Sequence, residues 1–543
     1  MGSGEVGTVG PAPMQNWPLT VDRIITHAER VCPDVAIVSR TFDGTVRRTG
    51  YGEVARQARA VSRALAKAGI GLGDRVATLA WNSDSHVALW YGISGMGAVC
   101  HPLNPRFSPD QIAWVINHAA DRLLFLDPCF LPLISSIASA LPAIERYVVL
   151  GEIPSDTRLQ VQSLDDFLSE AAEAPTPAWG NFPEETPCAL FYTSGTTGDP
   201  KGVIYSHRSN LLQAMMLGLG YDFGKTDSIM PVVPMFHANG WGLPYLGPIL
   251  GVPLIMPGPA LDPQSLHALM ESEHVTVAAG VPTIWTALLS HLRRSGGTLS
   301  HTRRLYSAGA ATPAALIEAF AQEHGARVIP AWGMTELSPS GTVGTGVHGS
   351  DGAADARQGH FVFGVEGIVT GPDGSVVPAD GKSIGTLKVK GATVIRRYAG
   401  ALADAVDADG WFDTGDLAVV HEDHTIEIAD RAKDVIKSGG EWISSIAIEQ
   451  IAATHPAVEL CAVIGVPDER WDERPLLLVH RRAGSDCNAT ELRDLIAAEL
   501  PKWWLPDQIE FVDDMPLGAT GKIDKKSLRA HYGAIGKKVP ADN

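Results

Sequence analysis

Cysteine is scarce in this 543-residue chain, and the few present neither pair nor cluster. They stand at positions 32, 100, 129, 188, 461 and 487, with no CxxC and no metal-ligand spacing. That distribution excludes a disulfide scaffold and points to a reducing, cytoplasmic setting. Basic charge is also short, since 43 Lys and Arg face 61 Asp and Glu for a formal net charge of −18. A surface of that sign disfavours nucleic acid and anionic membrane as partners, so any phosphate ligand has to be held by a local constellation. Residues 1–13 lack the basic and apolar regions of a signal peptide, and residues 1–16 read as a flexible tail. An unbroken apolar run is missing as well. Residues 242–261 are almost wholly apolar, but Pro244, Pro248, Pro253, Pro257 and Pro259 interrupt them, which argues against a continuous spanning helix and for buried core and pocket wall.

The rest of the composition, 45% hydrophobic and 19% charged, is that of a globular protein long enough for two or more domains. Val54, Ala58, Val61, Leu65 and Ala68 recur at helical spacing, and Gly71-Leu72-Gly73-Asp74 then turns the chain into an apolar run at 76–81. Ser108-Pro109 predict a helix cap and first turn, Ile112, Val115 and Ile116 line one face, and residues 122–127 return as a strand. This alternation predicts an α/β fold, a large N-terminal domain of mostly parallel sheets covered by helices. Beyond residue 438 two helices and two strands predict a small α+β domain.

One stretch carries more chemistry than any other: Thr193-Ser194-Gly195-Thr196-Thr197-Gly198-Asp199-Pro200-Lys201-Gly202, fed by an apolar strand at 188–192. Glycines let backbone N–H groups crowd an anion, hydroxyls donate further hydrogen bonds, and Lys201 adds a mobile positive charge. A plain surface turn has the same composition. An NTPase P-loop needs Gly-Lys-Ser/Thr after four free positions, and here Pro200 precedes the lysine and Gly202 follows it, so that reading fails.

The stretch resembles the phosphate loop of the adenylate-forming superfamily, which includes acyl-CoA synthetases, peptide-synthetase adenylation domains and luciferases. Further motifs of that superfamily follow in order, and the resemblance covers about residues 20–532. They are Phe236-His237-Ala238-Asn239-Gly240-Trp241, Gly280-Val281-Pro282, Gly309-Ala310-Ala311, Trp332-Gly333-Met334-Thr335-Glu336, Phe412-Asp413-Thr414-Gly415-Asp416, Asp430-Arg431 and Gly521-Lys522. The resemblance implies that residues 193–198 and Lys201 hold the phosphates of ATP, with the backbone of Gly309, Ala310 and Ala311 along the adenine. Trp332 would stack on that base beside Gly333 and Met334. It replaces the more usual tyrosine, so stacking survives and the hydroxyl's hydrogen bond does not. Thr335 would bond the α-phosphate, Glu336 with Thr196 would hold Mg2+, Asp416 would accept the ribose hydroxyls, and Ile428 and Arg431 would complete the nucleotide site. His237, Trp241, Gly280, Val281, Pro282, Gly309 and Gly333 would border the acyl pocket, with Trp241 as its gate.

The same resemblance implies an adenylation domain at 17–431, a hinge at 432–437 turning on Lys433, and a lid at 438–543. It implies two steps: a carboxylate displaces pyrophosphate from ATP to give an acyl-adenylate, and CoA then displaces AMP. Lys522 would serve the first step, bridging carboxylate and α-phosphate, and the lid would then turn to bring Gly439, Gly440, Glu441 and Trp442 to the pantetheine tunnel. Catalysis would rest on Lys522, His237, Thr196 and Glu336, with ATP, Mg2+ and CoA required. Medium- to long-chain fatty acyl-CoA synthetases are the nearest likeness, with 3-(methylthio)propionate and aryl acids as alternative substrates. A carrier-protein-loading ligase, a luciferase-like oxygenase and a silent scaffold are the rival classes. Related synthetases form homodimers through their N-terminal domains, which makes a dimer an expectation here.

Overall fold

The computed structural model describes residues 14–193, 199–348, 353–439, 441–482, 484–518 and 522–533. Two large sheets form the body. The seven-stranded one runs Gln162–Ser163, Arg146–Val149, Leu123–Leu126, Arg75–Leu79, Val99–Pro102, Pro187–Thr193, Lys201–Ser206, and every pairing in it is parallel except the last. The nine-stranded one has parallel neighbours from Arg327–Gly333 through Arg304–Ala308, Val277–Gly280, Ile229–Pro231 and Leu254–Met256 to Ala36–Arg40, with antiparallel strands at both edges. The expected α/β architecture is present.

One apolar cluster joins the two sheets, because Val76 and Leu123 of one share it with Ile37, Leu254 and Val277 of the other. The Tyr51–Lys67 helix packs its predicted face, Val54, Ala58, Val61 and Leu65, into that cluster. Beside it the Asp84–Gly95 helix is buried on nearly every side, and its sequence is accordingly apolar all round. Ser108 caps the Pro109–Ala119 helix through a full capping box with Gln111, as the Ser-Pro signal predicts. The proline-rich segment does contain a short helix, Leu243–Leu250, in which Pro244 occupies the first turn and the Pro244 carbonyl, which Pro248 cannot pair, accepts the Tyr91 hydroxyl at 3.1 Å.

The sequence reading missed a four-stranded antiparallel sheet, Val365–Thr370, Ile384–Gly391, Phe412–Val420 and Ile426–Arg431. Its strands alternate polar and apolar residues over one cluster that includes Val369, Leu387, Val389 and Ala418. The C-terminal strands, from Ile436–Ser438 to Gln508–Val512, form a separate five-stranded sheet, flanked by the Ser445–Ala452 and Ala489–Glu499 helices.

Candidate active site

The nucleotide-site candidates gather where the parallel strands of the nine-stranded sheet end, the edge at which open α/β sheets bind ligands. Gly280, Gly309 and Gly333 close or follow three adjacent strands there, Val277–Gly280, Arg304–Ala308 and Arg327–Gly333. Trp332 is buried one residue before the end of the last strand, and its indole Nε1 donates to Asp416 Oδ2 at 2.8 Å. The indole thus has a donor of its own, spent on the carboxylate, where a tyrosine would present a hydroxyl. Asp416 pairs in register with Arg431 across the antiparallel sheet, and Arg431 Nε lies 2.7 Å from Asp416 Oδ1. Burial raises the Asp416 pKa, and Arg431, Trp332, Lys522 and Lys433 oppose that rise. Ile428, on the same strand as Arg431, packs against the Trp332 cluster, and its N–H donates to Gln358 Oε1 at 2.7 Å.

Lys522 comes from the C-terminal domain and reaches Gly309 of the N-terminal one. Gly309 holds φ at +93°, and a methyl group there would stand 2.8 Å from Lys522 Cε and 3.3 Å from Nζ, with Val281 Cγ1 at 3.5 Å. Only glycine fits both that dihedral and the lysine beside it. Burial lowers the Lys522 pKa to about 8, Arg431 and Lys433 push the same way, and Asp416 resists. His237 feels the same cation. Burial, then Lys522, then Arg106 lower its pKa to about 3, so the ring is neutral at ordinary pH.

Glu336 and Thr335 are both buried. Glu336 Oε1 accepts the Tyr398 hydroxyl at 2.8 Å, and Lys201 Nζ stands 5.0 Å from the centre of the Tyr398 ring. The Thr335 carbonyl accepts the Tyr205 hydroxyl at 2.5 Å. Tyr398 thus ties the carboxylate to the lysine that closes the phosphate stretch. No motif marked it, because it lies between motifs in sequence, on the loop between Ile384–Gly391 and Phe412–Val420, where the Ala399 N–H donates to the Gly202 carbonyl at 2.8 Å. Ser194, Gly195, Thr196, Thr197, Gly198 and Gly440 lie outside the described residues, as does the Glu441 side chain. Gly439 and Trp442 stand on the C-terminal-domain hairpin Ile436–Ser438 and Glu441–Ile443, with Trp442 38% exposed.

The segment that the resemblance assigns to the acyl pocket adopts an uncommon backbone. From Ala238 to Gly242 five successive residues have positive φ, at 40°, 60°, 55°, 52° and 75°. Left-handed residues other than glycine are disfavoured by about 1–2 kcal/mol each, so neighbours must hold this turn. Asn82 does so at its entry, donating to the Pro231 and Val233 carbonyls at 2.9 Å and accepting the Met235 N–H at 2.7 Å. Buried Asn239 donates to Asn210 Oδ1, and Asn210 in turn donates to Cys188 Sγ at 3.0 Å. Phe236 is buried edge-on to Trp81, and half-buried Trp241 packs against the main core.

This constellation has a counterpart in known proteins, since the AMP-binding enzyme family profile matches residues 25–399 and the AMP-binding enzyme C-terminal domain profile matches residues 447–522. The chain belongs to the AMP-binding enzyme family. Among its relatives in that family, a 3-methylmercaptopropionyl-CoA ligase of Ruegeria lacuscaerulensis is 42% identical over 96% of this chain and 98% of its own length. A medium-chain-fatty-acid–CoA ligase of Ectopseudomonas oleovorans is 40% identical over 96% and 97%, and a long-chain-fatty-acid–CoA ligase of Thermus thermophilus is 39% identical over 97% and 98%. An anthranilate CoA ligase solved with anthranoyl-AMP superposes on this AMP-binding enzyme with a TM-score of 0.87, at 26% identity, covering 97% of this chain and all of that one. The adenylate-forming fold expected from the motifs is therefore that of the whole chain.

Proposed function

We propose that this enzyme, an AMP-forming CoA ligase, activates a medium- to long-chain fatty acid through an acyl-adenylate. The observation that carries the reading is the convergence of a lid lysine, Lys522, with His237, Gly309, Asp416 and Arg431 of the body. Asp416 and Arg431 are suited to the ribose and Trp332 to the adenine. Lys522 bridges the acid's carboxylate and the α-phosphate, where the reaction asks for positioning and charge stabilisation. Neutral His237 orients the carboxylate without adding charge. Mg2+ suits the hard oxygens at hand, and Glu336 with the Thr196 hydroxyl would hold it. When bound it neutralises phosphate charge. After adenylation the Lys522 charge stands where CoA must enter, so the lid turns about Lys433 and brings the Gly439–Trp442 hairpin to the pantetheine. All six cysteines are free, which suits a reducing, cytoplasmic compartment. A homodimer is part of this reading through kinship alone.

A second reading, 3-(methylthio)propionate as the acid, draws on the Ruegeria relative. Pyrophosphate release across 3-(methylthio)propionate, octanoate, palmitate and cinnamate, with and without CoA, separates the two. The expected result is release that depends on octanoate or palmitate, with a thioester forming only when CoA is present. Lys522→Ala should abolish adenylate formation and spare thioester formation from supplied acyl-adenylate. Equal loss of both halves would sink the two-position mechanism.

A further inference from the structure

Beside the hinge, lid and body meet in a buried polar cluster that the chemistry above does not use. Asp430, the penultimate residue of the Ile426–Arg431 body strand, is 1% exposed. Its Oδ1 accepts the Arg431 N–H at 2.7 Å, and its Oδ2 accepts the N–H of Ser445 at 2.6 Å. Ser445 opens the lid helix Ser445–Ala452, whose N-cap Ser444 donates its hydroxyl to the Ala429 carbonyl at 2.6 Å. A body carboxylate therefore sits on the N-terminus of a lid helix, where unpaired N–H groups and the helix dipole favour negative charge.

The cluster continues towards the catalytic lysine. Lys525 Nζ donates to the Ser445 hydroxyl and to Glu449 Oε1, both at 2.7 Å, and that oxygen also accepts the Val463 N–H at 2.7 Å. Burial alone would depress Lys525, but Glu449 and Asp430 outweigh it and raise its pKa, so the ammonium is retained. Lys525 begins the helix Lys525–Tyr532, three residues after Lys522, and Arg529 on that helix pairs with Asp434 at 2.6 Å. Asp430, the lid helix, Lys525 and the Lys522 turn are thus one connected unit.

Any rotation about Lys433 carries Ser444, Ser445, Glu449 and Lys525 away together and leaves Ala429 and Asp430 on the body. The two cross-hinge bonds exist in one lid position alone. Rotation would exchange both bonds, one of them to a carboxylate and so charge-assisted, and the Lys525 charge nearby for contacts with water, so the cluster favours the position in which they are made. We propose that Asp430 is a latch that holds the lid in the position placing Lys522 in the site, favouring adenylate formation over thioester formation. It is a positioning residue, since it touches no reacting atom, and the inference rests on the two-position mechanism proposed above.

The test measures the two half-reactions separately in Asp430→Asn, as pyrophosphate release without CoA and as thioester formation from supplied acyl-adenylate. Free-energy coupling between two states commonly spans about 5- to 150-fold. The expected result is at least an approximately fivefold fall in the first rate with the second unchanged or faster. Ser444→Ala, which deletes one cross-hinge bond together with the cap on the Ala447 N–H and keeps every charge, should shift the ratio the same way by less. An equal fall in both rates, or ratios within about twofold of the parent in both variants, overturns the latch. If Lys522→Ala is selective while Asp430→Asn leaves the ratio unmoved, the latch alone fails; if Lys522→Ala loses both halves equally, the mechanism beneath it fails.

Discussion

The proposed mechanism needs Lys522 as a cation among buried groups, and its surroundings set the pH at which it stops being one. Burial and two neighbouring cations lower its pKa to about 8 against the single opposing charge of Asp416. The protonated form therefore dominates below pH 8 and is lost as pH rises through it. Because kcat/KM reports the free enzyme, its value for pyrophosphate release should fall on the alkaline side with an apparent pKa near 8. Thioester formation from supplied acyl-adenylate should lack that limb, and a shared limb would assign it to another group. No acid limb from His237 belongs between pH 5 and 7, since its pKa lies near 3. Lys522, His237 and Asp416 were legible in the sequence as members of ordered motifs. Their mutual perturbation was not, because it depends on burial and on charges brought together from the body and the lid.

At the scale of elements, the segment Ala238–Gly242 shows what local pattern can and cannot tell. Asn239, Gly240 and Gly242 are residue types that accept positive φ, yet Ala238 and Trp241 share it with them. The left-handed turn is imposed from outside, by Asn82 before it and Asn210 beside it, and pairing over such separations leaves no periodic trace. The helices with strong caps and the parallel strands were legible for the opposite reason, since their signals are local. Gly242 is the tightest point, because a methyl there would come within 2.2 Å of Gln213 Oε1 and 2.9 Å of Leu217 Cδ1 while φ stays at +75°. Gly242→Ala should lower stability by about 1–3 kcal/mol, the range of an overpacked core. Because Trp241 precedes it, kcat/KM should fall further for the acid than for ATP. Denaturant unfolding with kinetics on both substrates checks this, and equal loss for both would separate Gly242 from the acyl pocket.

The whole molecule is held together unevenly. The lid's apolar clusters draw on residues 436 to 532 alone, and no apolar cluster among the described residues spans lid and body. Among the described residues the contacts between them include the Asp430 cluster, the Arg482 guanidinium donating to the Ser290 hydroxyl at 3.4 Å, and Lys522 reaching Gly309. Apolar burial is the main source of cooperativity, so two cores without a shared cluster need not melt as one. Calorimetry of the free enzyme should resolve two transitions, the smaller belonging to the lid. A nonhydrolysable ATP analogue at about 100 times its Kd stabilises whatever it binds by about 2.7 kcal/mol. It should raise the body's transition directly and the lid's through Lys522, so the lid's increment should disappear in Lys522→Ala while the body's remains. A single cooperative transition would mean that the polar contacts couple the two cores more tightly than their apolar separation implies, and the lid would then turn as part of a body that yields with it.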